Sequence, residues 1–123
     1  MSVMDISEAM ASALLCASLG GEQEIRYDFG DSYNIIDCVT ETHAIEFGLD
    51  KASSRDSFVQ AWVASRHIPH DPPLKPMVYI VGRFAEPGKI GTELIAFGNA
   101  HGIETYYHWQ ARLDPEAFRE TER

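Results

Sequence analysis

The chain is poor in cysteine, in basic residues and in long apolar runs, and each shortage removes a class of protein. Two cysteines among 123 residues, Cys16 and Cys38, make neither a disulfide framework nor a metal-ligand pattern. Both lie in apolar surroundings, which predicts reduced, buried thiols and a cytoplasmic protein. Lysine and arginine number 10 against 19 aspartates and glutamates, a net charge of −9. Nucleic-acid binders draw much of their affinity from neutralising phosphates, so this balance argues against strong general DNA binding. The acids are scattered without a long block of one sign, as on a solvated acidic surface. No apolar run approaches the ~20 residues of a membrane-spanning helix, so no membrane partner is expected. The start "MSVMDISEAMASALLCASLG" carries Asp5 and Glu8 where a secretory signal has basic residues. Repeats and linkers are missing as well. What is there is an ordinary globular composition, 45% hydrophobic and 24% charged. It fills one domain over 1–123, long enough to bury well over half of its extended surface.

Ile6, Met10, Ala13, Leu14 and Ala17 recur at helical spacing, and Gly20-Gly21 stop that helix. Residues 22–29, 33–39 and 43–49 read as strands by their β-branched and aromatic content. Ser53 or Ser54 caps a helix running to about His67, with Phe58, Ala61, Trp62 and Ser65 on one face. "HDPPLKP" forbids regular structure, and the wholly apolar "MVYIVG" (77–82) reads as a strand buried on both sides. A helix near 92–100, the strand "IETYYHW" (103–109) and a short polar helix or frayed tail from Asp114 complete the chain. The order α-β-β-β-α-β-α-β predicts an α/β fold. Its mixed sheet starts as a meander, continues through helical crossovers and carries helices on both faces.

The stretch "NIIDCVTETHAIEFGLDKAS" (34–53) places one carboxylate, Asp37 or Glu46, in each of two apolar runs. A hairpin about Glu41-Thr42 sets Val39 opposite Ala44, Ile35 opposite Gly48 and Asp37 opposite Glu46, with Cβ atoms about 4.5–5.5 Å apart. The other face then carries Ile36, Cys38, Ile45, Phe47 and Leu49 for the core. Two like charges so placed repel by about 1 kcal/mol in water and roughly 4 at an effective dielectric of 20. A solvated pair at a sheet edge tolerates the first figure; the second requires protonation or a cation. A hard divalent ion held by two carboxylates and several waters would resolve it. The spacing leaves both readings open.

At this point a resemblance enters. "YNIIDCVTETHAIEFGLDKAS", followed by a helix containing "FVQAW", resembles the catalytic core of the PD-(D/E)XK nuclease superfamily. It is most like the small bacterial and prophage members whose core reads D-C-L-T, a short turn, A-I-E-V-D-F and a downstream lysine. The likeness covers about 27–81, and the element order also fits. It implies a restriction-endonuclease-like fold and a Mg²⁺- or Mn²⁺-dependent phosphodiester hydrolase acting on DNA or RNA, the metal lowering the pKa of the attacking water. Carried over residue by residue, Asp37 and Glu46 match the metal-binding acids and Glu8 an acid of the first helix. Gln60 matches a helix glutamine that orients, and Lys51 the lysine that positions or activates water. The motif's lysine belongs two residues after Glu46, where this chain has Gly48; relatives often carry aspartate there. The spacer between Glu46 and Gln60 is also a residue longer. These departures define the alternative, a degenerate nuclease fold acting as a protein-interaction, inhibitor or immunity module. Its partner would be a protein or a second copy of the chain. A basic patch of Lys51, Arg55 and Arg66 beside the acids would favour the enzyme.

Other motifs carry less. His67, His70 and Asp71 fall in a proline-interrupted loop that gives their side chains no common facing. "PGKIGT" lacks the glycine spacing of a phosphate loop, which leaves Lys89 on the surface. Cys38 has no positioned base. Aromatics in "ETYYHW" could stack on bases, but Tyr107 and Trp109 at alternating positions read as core.

Overall fold

The structure, a computed structural model, describes residues 8–112, and of Glu8 only the backbone. Along the chain run α1 (Glu8–Leu19), β1 (Glu22–Asp28), β2 (Tyr33–Val39), β3 (His43–Leu49), α2 (Arg55–His67), β4 (Lys75–Gly82), α3 (Lys89–Ala100) and β5 (Glu104–Trp109). Short 3-10 turns at Ala52–Ser54 and Gln110–Arg112 follow β3 and β5. Ile6 and the expected tail from Asp114 lie outside the described residues. The strands form one mixed sheet in the order β1-β2-β3-β4-β5, antiparallel through β3 and parallel beyond it.

The β2–β3 turn sits where the sequence puts it. Thr40 donates its N–H to the His43 carbonyl at 3.0 Å, while its hydroxyl accepts the N–H groups of Thr42 and His43. A two-residue turn fixes register, and Val39 faces Ala44 as Cys38 faces Ile45. Along β4 the side chains alternate: Met77 and Val81 pack with α1's Ala11 and Leu15, whereas Val78 and Ile80 pack with α2's Phe58 and Ala61. A strand covered on both faces is apolar at every position, which is why "MVYIVG" shows no alternation. Helix α3 joins α2 on its face through Leu94 and Ile95.

Five expectations are corrected. Cys16 and Cys38 are joined in a disulfide with Cα atoms 5.7 Å apart, and the described chain has no free thiol. Packing of α1 on β2 brings the two together across 22 residues, which spacing alone does not show. Gly21 makes room, since a Cβ there would collide with Cys38 Sγ. Closing a loop of that size restricts the unfolded chain and is worth about 3 kcal/mol. Second, α1 is rotated so that Ala11, Leu15 and Cys16 face inward and Ala17 is exposed, the turn that aims Cys16 at Cys38. Third, Ile36 and Cys38 do not share a face: Cys38 lies under α1, Ile36 against Ala64 and Ile68. The cause is a kink. Glu24 takes a left-handed φ of 52°, and the β1–β2 ladder has no pair at Glu24 and Asp37, so alternation slips there. Fourth, Trp62 is 45% exposed; Ala64 takes the inward place that it was expected to hold. Fifth, α3 starts three residues before 92, for a reason given below.

Candidate functional site

The antiparallel ladder between β2 and β3 pairs only Val39 with Ala44 and Cys38 with Ile45, and then the strands part. Asp37 and Glu46 stand at this fork. Glu46 Oε2 accepts the backbone N–H of Asp37 at 3.0 Å, and Asp37 Oδ2 accepts the backbone N–H of Phe47 at 2.9 Å. Each acid thus reaches across and supplies the acceptor that a carbonyl would have given had the ladder continued. The exchange satisfies two amides that the kink at Asp37 would otherwise strand. On β3, Ala44, Glu46 and Gly48 share the face that α2 covers, and Glu46 is 1% exposed whereas Asp37 is half-buried. Taking a carboxylate out of water costs several kcal/mol. A hydrogen bond returns part of that cost, so the Asp37 amide is a share of what keeps Glu46 in place.

No family model, curated protein or solved structure matches this chain. The site is therefore read from its own chemistry. Asp37 and Glu46 are two oxygen donors, each with one oxygen on an amide. Among the described residues, no group of three or more His, Cys, Asp and Glu gathers to hold a metal ion. Mg²⁺ keeps several of its waters when bound, and Glu46 is closed to them. The described residues do not fit a resident divalent ion.

The other sequence candidates stand apart from the pair. Gly48, at the lysine position of the motif, lies under the Ala52–Ser54 turn. A Cβ there would sit 2.7 Å from both Cβ and Oγ of Ser54, so neither lysine nor aspartate enters without moving that turn. Ser54 Oγ is fixed in turn by donating to the Leu49 carbonyl, in place of the helix cap expected of it. Lys51 is exposed beyond the end of β3 and lines a small cavity of about 250 Å³ with Arg83, whose lining includes neither acid. Gln60 is exposed on α2, whose buried side is Phe58, Ala61 and Ala64. The side chain of Glu8 lies outside the described residues. Arg55 and Arg66 are eleven residues apart on α2, about 16 Å along the axis, and Arg66 stacks over Trp62 at 4.8 Å. The basic patch of Lys51, Arg55 and Arg66 that would have favoured the enzyme is dispersed.

Two polar arrangements had no signal in the sequence. Asp50 Oδ2 accepts the N–H of Gly88, the N-cap of α3, at 2.8 Å. Its carboxylate lies so close to Gly91 that a Cβ there would be 2.6 Å from Oδ1. A carboxylate at the positive end of a helix holds its first turn, which explains the early start of α3. Across β4, His43 Nε2 lies 3.0 Å from Glu104 Oε1, and Tyr106 donates its hydroxyl to Glu104 Oε2 at 3.0 Å. The bond from His43 holds the Glu104 carboxyl below its usual range, and the bond to Glu104 pushes the Tyr106 hydroxyl up. Further along β5, His108 Nε2 is buried and finds no hydrogen-bond partner among the described residues. Burial, then the charge of Arg112, pushes its pKa down from 6.5.

Proposed function

We propose that this chain is a restriction-endonuclease-like domain of the PD-(D/E)XK type whose acid pair serves the fold, and that it acts by binding a protein instead of hydrolysing nucleic acid. The observation that carries the reading is Glu46, 1% exposed and bonded to the backbone of the strand it faces. Closure of the Gly48 position to lysine and the dispersal of Lys51, Arg55 and Arg66 support it. A net charge of −9 suits a protein partner better than DNA or RNA. The disulfide removes the ground for a cytoplasmic setting, which rested on reduced thiols, because disulfides persist chiefly in oxidising compartments.

The hydrolase reading keeps one feature, the meeting of two carboxylates at the fork. It needs Glu46 uncovered so that Mg²⁺ or Mn²⁺ and its waters can reach both acids. Titration calorimetry of Mn²⁺ into the wild type, Asp37→Ala and Glu46→Gln separates the two. No binding heat is expected from any of them. Heat in the wild type that both variants lose would overturn the binding-module reading and restore a metal-dependent nuclease.

A further inference from the structure

Helices α2 and α3 lie on the same face of the sheet, and between their first turns runs an open groove of about 1160 Å³. Its floor is Phe58 and Leu94, and its walls are Val59, Ile90 and Phe97, which are 63%, 46% and 49% exposed. Trp62, one turn on from Val59, extends the same apolar surface at 45% exposure. Side chains of this size left in water on one face mark an interaction surface, and the volume exceeds the ~300–1,000 Å³ of small-molecule pockets.

The charges around the groove say what fits it. Arg55 and Asp56 stand on the first turn of α2, Lys89 at the start of α3 and Glu93 one turn further on. Two cations and two anions balance here, on a chain whose total is −9. A strongly basic partner would be repelled by half of this rim and an acidic one by the other half. A second copy in two-fold relation is not. Such a pairing lays α2 of one copy against α3 of the other, with Arg55 facing the second copy's Glu93 and Lys89 facing its Asp56. Self-complementarity of this kind is what an isologous interface demands, and elsewhere two acidic copies repel.

We propose that the α2–α3 groove is the self-association face of this protein, closed by a second copy through Val59, Ile90 and Phe97 with crossed ion pairs at the rim. This goes beyond the reading of the acid pair and holds whether or not that pair binds a metal.

The test is sedimentation equilibrium of the full chain up to about 200 μM, with circular dichroism to check that each variant is folded. The wild type is expected to form dimers. Val59→Lys, at an exposed position that leaves the core untouched, is expected to weaken them roughly tenfold or more. Arg55→Glu, which sets like charges against each other, is expected to weaken them as well, and Arg55→Glu with Glu93→Arg to restore them. A wild type that stays monomeric would overturn the proposal. So would a dimer that survives Val59→Lys, or a double variant as weak as Arg55→Glu alone.

Discussion

The fork between β2 and β3 and the outer edge at β5 each set a glutamate against a neighbouring strand, and they satisfy it in opposite ways. At the fork, Glu46 is buried and held by a backbone amide, that of Asp37. At the edge, Glu104 is partly exposed and held by the side chains of His43 and Tyr106. An amide donates at every pH and cannot turn away, so Glu46 is a fixed part of the sheet. The side chains of a histidine and a tyrosine can rotate away, so Glu104 is adjustable. The difference teaches what an acid in an apolar run is for. Where a ladder fails beneath a helix, a carboxylate can take over the acceptor role of a carbonyl. Where it reaches solvent, it becomes a charge that conditions can tune.

The sharpest way to break this comparison is at Glu46. Glu46→Ala leaves the Asp37 amide without its acceptor and opens a cavity under α2, and it should cost about 3 kcal/mol in urea denaturation. Glu46→Gln keeps an oxygen for that amide and the shape of the side chain, so it should stay within about 1 kcal/mol of the wild type. Equal losses in both variants would mean that the amide's acceptor is not what matters at the fork. Asp50 is the intermediate case, a half-buried carboxylate on the backbone amide of Gly88. Asp50→Ala should lower stability by about 1 kcal/mol, the worth of a helix cap and its dipole term. Amide exchange in the first turn of α3 should quicken with it.

The smallest effect belongs to the β5 edge and shows as pH dependence. His108 has a depressed pKa when folded, so below pH 6.5 the unfolded chain takes up a proton that the folded chain refuses. Stability therefore falls as pH drops from 6.5 toward the folded value. Glu104 has a depressed pKa too, and its contribution, full above 4.5, is lost as pH falls through its folded value. Both act with the same sign in successive windows. Thermal melts across the acid range should flatten in the upper window for His108→Gln and in the lower one for Glu104→Gln. A His108→Gln profile that matches the wild type would remove the burial argument for that histidine.

Much of the fold was legible because local signals and burial agree. The ranges 33–39 and 43–49 coincide with β2 and β3, and the turn about Glu41-Thr42 sets their register by itself. The apolar run of β4 announced a strand covered twice, as Met77 and Val78 on opposite faces bear out. Alternation also set Asp37 opposite Glu46 and Ile35 opposite Gly48, but the ladder ends at Cys38 and Ile45 and neither pair forms; each acid instead accepts an amide of the other strand. Alternation could not foresee that Glu24 would take a left-handed backbone and send Ile36 and Cys38 to opposite faces, since nothing in a glutamate signals that conformation. Trp62 and Ala64 likewise traded places, because helical periodicity fits either face and packing against Ile36 and Ala44 chose the smaller residue.

By itself, the sequence determined the elements, their order and the hairpin register beside the turn, because these depend on neighbours a few residues apart. Only the tertiary structure decided the disulfide across 22 residues, the reach of Asp50 to Gly88 and the burial of Glu46. Each of these needs a helix laid over the sheet at one particular angle. That angle is settled by the packing of the whole chain and is written in no single stretch of it.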